Sequence, residues 1–404
     1  MTTSPYLEEE NINYVLETVE TITKNTGNRR AGEKGEEETK NILLNELMKF
    51  SDETKEQKFS TYPGAGTNIQ RVLSVILALC AIMFSVASSN GVVLPVAISL
   101  VLNLIVFAVF SHKFLFDGTR FDVFSRRKRS ANILGTRFPR GNTELRVVIT
   151  AHMDSPLSLR GFAFGSKATY ILSLISIVGN TILFCSQIAF LFAGAPVDSG
   201  IFRFLSVISI AFLPFYVASL IVVDSKKTSS GISASLLPSC IAVSVMKQLT
   251  QSGFRFEKAE ICCLITGSEY SGRAGAYAFA RRHRRLFSDV PTVFIPIEEI
   301  TSSENLSVFF KDGSGTFGSR AVASVIAQAS ENLEIKLQNE NGLLGTSSFT
   351  PFVKYGFEAC SIGTSKKHIS RSVSSTADKI TAIKRKTIYD VGSLIIETLN
   401  YYDN

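Results

Sequence analysis

Charge is scarce in this 404-residue chain. Asp, Glu, Lys and Arg make up 19% of it, against 45% apolar residues. A soluble globular protein carries about 25% charge, so the composition argues against an ordinary cytosolic enzyme. Disorder is excluded as well, because it requires low hydrophobicity and high charge. Histidine is scarce, with only His112, His152, His283 and His368. The six cysteines form no CxxC pair and no dense framework, so neither a disulfide scaffold nor a zinc ribbon is suggested. No N-terminal signal peptide is expected, since residues 1–70 are polar and rich in acid.

The missing charge is concentrated in stretches. Val72–Phe110 holds none and breaks at Ser88–Gly91, which leaves two segments of about 18–20 residues, the length that crosses the hydrocarbon of a bilayer. Ala168–Val197 and Phe204–Val223 are also free of charge. Core helices of a soluble protein are shorter and amphipathic, so four transmembrane spans are predicted, arranged as two hairpins. The hairpins occupy 71–112 and 168–223, and a polar domain is assembled from 1–70, 113–167 and 224–404.

An even number of spans in each insertion puts all polar segments on one side. Arg71, Lys113, Arg120, Arg126, Arg127, Lys128, Arg129, Lys226 and Lys227 flank the spans on that side, and the small loops hold only Arg203. The positive-inside bias makes that side cytoplasmic. The basic runs Arg126–Arg129 and Arg281–Arg285 read as charge facing anionic lipid headgroups. The lipid bilayer is therefore the expected partner, and nucleic acid is not.

Within the polar part, helices are predicted over 7–23, 33–50, 231–249, about 274–282 and 380–400. Leu145–Thr150, Ala259–Thr266, Val293–Ile297 and Cys360–Gly363 are apolar runs that read as buried strands. Strands alternating with helices imply an α/β fold with a mostly parallel sheet flanked by helices. In such sheets functional groups gather beyond the carboxyl ends of the strands. Here those ends carry His152 and Asp154, then Glu269 and Tyr270, then Glu298 and Glu299. A His-x-Asp pair can present a metal ligand with its orienting carboxylate, or equally a structural, hydrogen-bonded histidine.

The motifs resemble those of the co-catalytic zinc exopeptidases, the family of bacterial leucyl aminopeptidases, aminopeptidase Y and glutamate carboxypeptidases. Gly27–Glu36 is similar to the family's G-x-R-x-x-G-x-x-G-E opening, and Val148–Ser155 (VITAHMDS) to its first metal motif. Thr266–Ala276 resembles T-G-x-E-E-x-G-x-x-G-A. Lys227–Gly231 (KTSSG) stands where the family has D-N-x-S-G. Ile295–Ile300 (IPIEEI) resembles the strand ending in a ligand Asp, and Ser374–Ile380 (SSTADKI) resembles H-S-T-x-D. Gly345–Phe352 (GTSSFTPF) stands where S-D-x-x-P-F is usual.

The resemblance implies two zinc ions held by five side chains. Carried over position by position, this chain offers His152, Lys227, Tyr270, Glu298 and Ser374. His152 and Glu298 are usable metal ligands. An ammonium has no lone pair, serine is a poor neutral ligand, and tyrosine must ionise from a pKa near 10. The resemblance makes Glu269 the general base and Asp154 the residue that orients the metal-binding segment, and both are retained. His368, six residues before Ser374, is an alternative ligand if the alignment shifts.

Two functions follow from the resemblance. In the first, the domain lacks its metals, takes no cofactor, and serves as a binding or scaffold protein for peptides or a protein partner. Lys227 then pairs with Glu269 and Glu298 in place of zinc. In the second, the protein is an active membrane-bound zinc aminopeptidase that removes N-terminal residues with Glu269 as general base. A transporter is a third reading, but the spans lack the charges such sites carry. Asn103, Asn180 and Gln187 read as interhelical hydrogen bonds.

Overall fold

The run AEICCLIT folds into the strand expected of it, with all eight residues buried, and it lies within the main sheet. The computed structural model describes residues 3–115, 121–159, 165–197, 199–221, 223–341, 346–365 and 378–403. Its first helices are α1 (Glu9–Thr26), α2 (Lys34–Phe50), α3 (Ala65–Ser89), α4 (Val93–Phe110), α5 (Gly165–Phe192) and α6 (Gly200–Ala211). They are followed by α7 (Leu213–Ile221), α8 (Leu237–Gln251), α9 (Ala274–Leu286), α10 (Arg320–Asn332), α11 (Thr350–Lys354) and α12 (Arg385–Asp403). The strands begin with β1 (Glu53–Thr61), β2 (Lys128–Arg137), β3 (Leu145–His152), β4 (Leu157–Leu159), β5 (Val223–Thr228) and β6 (Ala259–Thr266). They continue with β7 (Thr292–Pro296), β8 (Leu306–Lys311), β9 (Leu337–Asn341), β10 (Glu358–Ala359) and β11 (Ser361–Thr364).

The chain divides into two units. The first comprises residues 1–63, 126–157 and 227–404, and the second residues 64–125 and 158–226.

The first unit is a mixed α/β domain. Its main sheet has the order β1-β2-β6-β3-β7-β10. The pairs β6–β3, β3–β7 and β7–β10 are parallel, and β1–β2 and β2–β6 are antiparallel. The sheet is therefore mixed, where the sequence reading expected a mostly parallel one: the central and β10-side pairings are parallel, and β2 runs against both its neighbours. The sequence of β1, ETKEQKFST, is charged and largely exposed, as suits an edge strand rather than one covered on both faces.

Alternate residues of the central strands feed two cores. Val147, Ile149, Ile261, Cys263 and Ile265 join the core built with α1, α8 and α12. Val148, Cys262 and Leu264 face Phe279 of α9 and the rings of Phe294, Phe349 and Phe352. This is the period-two pattern of strands buried on both faces. A smaller sheet, β11-β8-β9, follows, and β4 pairs with β5. All six cysteines are free thiols.

The second unit is apolar. Among the described residues, five helical segments are long and apolar enough to cross a membrane: Ala65–Ser89, Val93–Lys113, Leu174–Phe192, Gly200–Leu220 and Ile232–Gln251. The first four lie in this unit. The fifth lies in the first unit, and every residue of 237–249 within it is buried among α/β core side chains. The segment read from sequence as one stretch over Phe204–Val223 is broken at Phe212. Pro214 opens the following helix; it has no N–H to donate and its ring clashes with the preceding turn. Asn103 donates to Gln187 (3.3 Å), and Gln187 donates to Ser99 (2.9 Å), joining α4 to α5 as expected. Asn180 is buried in α5 with its side-chain oxygen unpartnered among the described residues. Val72, Val75, Leu79, Ile82 and Val86 of α3 and Leu94, Ile98, Val101 and Ile105 of α4 point outward and are exposed.

Candidate functional site

The site is built where β3, β6 and β7 end. β3 delivers His152, and two residues later Asp154 turns inward and is fully buried. His152 Nδ1 lies 3.2 Å from Asp154 Oδ1. Beyond β6 the chain turns sharply, with Ser268, Gly272 and Arg273 all in the left-handed region, before α9 begins. Two buried carboxylates hold this turn. Asp154 accepts the backbone N–H groups of Glu269 and Tyr270, each at 3.0 Å. Glu36, in the first turn of α2, accepts the N–H groups of Ser268 (2.7 Å) and Gly32 (2.6 Å). Three consecutive amides are thus fixed by residues far away in sequence.

Glu269 Oε1 accepts the N–H of Ala276 at 2.9 Å, in the first turn of α9, where the helix dipole favours an anion. Below the site Arg29 is almost fully buried. It donates to the carbonyls of Met153 (3.1 Å), Ser230 (2.6 Å) and Gly231 (3.3 Å). These bonds fasten the loop after β3 to the loop before α8. A side chain at Gly231 would put its Cβ 2.8 Å from Ser155 Oγ and 2.9 Å from Arg29 Nη2, at a φ of +59°. Asp378 accepts the backbone N–H (3.0 Å) and hydroxyl (2.7 Å) of Ser233.

The electrostatics follow from burial and crowded acids. Burial and the Asp154 charge push the Glu36 carboxyl up to about 8. Burial raises the Glu269 pKa, with His152 partly opposing the shift. For His152, burial alone would lower the pKa; the hydrogen bond to Asp154 and the charges of Asp154, Glu269 and Glu299 outweigh it, and the net shift is upward. Desolvation of the phenol and then the Glu299 carboxylate raise the Tyr270 pKa above its ordinary value, although 39% of the residue is exposed. Its hydroxyl donates to Glu299 at 3.3 Å, and its ring meets the His152 ring edge-on with centroids 5.2 Å apart.

Glu298, a predicted metal ligand, accepts the N–H of Ser348 at 3.0 Å. The cavity beside His152 and Glu269, bounded also by Thr150, Thr266, Ser348 and Phe352, has a volume of about 10 Å³, which is about the space of one water molecule.

Among the described residues, no three of His, Cys, Asp and Glu come together as a metal-binding group. Tyr270, at a position the resemblance assigns to a ligand glutamate, is a protonated phenol engaged with Glu299. The side chain of Lys227, and the whole of His368 and Ser374, lie outside the described residues. The structure does bring together His152, Asp154, Glu269 and Tyr270 as the strand ends predicted. Sequence reasoning missed the roles of Arg29 and Glu36, although both sit in the Gly27–Glu36 motif that carried the resemblance.

Residues 223–399 match peptidase family M28. A leucine aminopeptidase precursor from Bacteroides thetaiotaomicron aligns with 99% of this chain and 99% of its own, at 10% identity and a TM-score of 0.58. A glutaminyl cyclase from Fimbriiglobus ruber aligns with 99% of this chain and 96% of its own, at 9% identity and a TM-score of 0.57. A zinc aminopeptidase from Bacillus subtilis aligns with 97% of this chain and 95% of its own, at 11% identity and a TM-score of 0.55. At these identities the likeness is one of fold. No curated protein matches the chain in sequence.

Proposed function

Since residues 223–399 match peptidase family M28, we propose that the chain is a multi-pass membrane protein whose peptidase-like domain binds a peptide or a protein partner without zinc chemistry. Tyr270 carries this reading. It stands where the resemblance places a metal-binding glutamate, its ring lies against His152, and its hydroxyl is taken by Glu299. A phenol with a raised pKa stays protonated at neutral pH and is not an ordinary zinc ligand. Lys227, on β5, stands where the family has a bridging carboxylate. In this proposal its ammonium pairs with Glu269 and Glu298 and offsets the charge that zinc would otherwise balance.

The four apolar segments of the second unit are the spans, with lipid against their outward-facing Val, Leu and Ile side chains. The fifth apolar helix, α8, is left out because its whole length serves the α/β core. The surplus of Lys and Arg beside the spans puts the peptidase-like domain on the cytoplasmic side.

A second reading, an active zinc aminopeptidase with Glu269 as general base, is favoured by one observation. Glu269 is anchored at the start of α9 and its affinity for a proton is raised, as a general base requires. Metal analysis and a peptide assay on the purified full-length protein separate the two. Zinc well below one ion per chain, with no release of N-terminal residues, is expected. Stoichiometric zinc together with such release overturns the proposal.

A further inference from the structure

The first unit has a second and much larger cleft, of about 390 Å³, between the start of α2 and the exposed face of β1 and β2. Its volume falls in the range of small-molecule sites, about 300–1,000 Å³. Four basic and four acidic side chains line it, and most of them are already engaged. Lys40 pairs with Glu56 (3.0 Å), Glu33 with Lys128 (2.8 Å) and Lys34 with Glu38 (3.2 Å). Glu36 is held by the amides of Gly32 and Ser268.

Three charges lining the cleft have no ion-pair partner among the described residues: Lys58, Arg129 and Glu37. The strand register fixes the first two. Lys58 faces Ala131 and Ser60 faces Arg129, so Lys58 and Arg129 share a face as diagonal neighbours, about 7 Å apart. Glu37 lies across the cleft on α2.

We propose that this cleft is a binding site for a zwitterionic ligand of dipeptide size. Its carboxylate is received by the Arg129 guanidinium, which can grip both oxygens at once, with Lys58 beside it, and its ammonium is received by Glu37. A simple anion leaves Glu37 unanswered, and a simple cation leaves Lys58 and Arg129 unanswered. Glu36 gives the site a consequence. It lines the cleft and also holds the Ser268 amide, so a ligand there lies against the side chain that fixes the loop carrying Glu269. The inference stands whether or not the crevice at His152 hydrolyses peptides.

The test is calorimetric titration of the full-length protein in detergent with L-alanyl-L-alanine. Parallel arms use its N-acetylated and C-amidated forms. Binding of the free dipeptide is expected, with a loss of about tenfold or more for each blocked form and for the Lys58→Ala/Arg129→Ala variant, the scale of a charge-assisted hydrogen bond. His152→Asn is expected to bind as the wild type does. The proposal is overturned if no heat is seen at millimolar dipeptide, if blocking either end is harmless, or if the Lys58/Arg129 variant keeps full affinity. It is equally overturned if His152→Asn abolishes binding, which would assign the ligand to the crevice.

Discussion

The ring of Tyr270 stands edge-on to the imidazole of His152, with centroids 5.2 Å apart. Where the resemblance expects a glutamate, tyrosine presents a ring to the imidazole and turns its hydroxyl to Glu299. The backbone beneath is held by Asp154, which accepts the amides of residues 269 and 270 whatever side chains they carry.

Recovery of the metal geometry is the first expectation. The combined variant Lys227→Asp, Tyr270→Glu and Ser374→His restores the carboxylate and imidazole donors that zinc prefers. Tight, chelator-reversible zinc binding is expected in the variant and not in the parent protein, measured by metal analysis after gel filtration. A variant that folds and takes up no zinc would show that the backbone has drifted from the geometry its relatives use.

Glu36 sets a pH dependence whose sign can be worked out. Its folded-state pKa is raised to about 8 from an ordinary value of 4.5. Between those values the folded protein keeps a proton that the unfolded chain has released. Stability therefore falls as pH rises from about 4.5 to about 8 and levels off above that. Melting temperatures of the full chain across this range should decline, and Glu36→Gln should flatten the decline. A wild-type profile that rises over the same range would contradict the assignment.

The parallel core was legible because its strands are continuous apolar runs, and LRVVIT and AEICCLIT admit little else. β1 was not legible. Its charged sequence reads as surface coil, and only pairing with β2 along nine residues makes it a strand. The break at Phe212 was signalled by Pro214, but the uniform hydrophobicity around it concealed the interruption. At the site, His152, Asp154 and Glu269 were found because motif and strand end coincide. Glu36 escaped because a glutamate in the first turn of a helix reads as a solvated cap. One of its two backbone partners, the Ser268 amide, lies 232 residues away, and no local pattern reports such a contact.

Gly275 tests how tightly the turn before α9 is packed. A Cβ there would sit 2.2 Å from the carbonyl oxygen of Gly267 and 2.6 Å from Asn132 Oδ1. The first obstacle is backbone, so relief requires moving the end of β6 or the start of α9. Gly275→Ala should cost about 1–3 kcal/mol, as overpacking does, and should disturb the Asn132 hydrogen bonds to Gly267 and Gly275. Gly315, where an added Cβ meets nothing, is a poor control because its φ is +82°. Gly66, with no neighbour near its Cβ and a helical conformation, is the better one. Gly66→Ala is expected to leave the melting temperature unchanged or slightly higher. Equal losses for Gly66 and Gly275 would deny the turn its special packing.

The last expectation concerns the apolar unit. Gln187 is fully buried, accepts from Asn103 and donates to Ser99, so one α5 side chain makes two hydrogen bonds to α4. In lipid, helices gain little from hydrophobicity and rely on packing and such bonds, worth about 0.6–1.7 kcal/mol each. Gln187→Leu removes both bonds and leaves the Asn103 amide and the Ser99 hydroxyl without this partner in a buried interface. A lower melting temperature in detergent is expected, with a smaller loss for Gln187→Glu at acidic pH, where the protonated acid can still accept and donate. A loss from Gln187→Leu no greater than that from an outward-facing control such as Val101→Ala would mean that the polar pair does not hold α4 to α5. Packing of Phe107 against Phe184, whose ring centroids are 5.5 Å apart, would then be left as the stronger bond between the two helices.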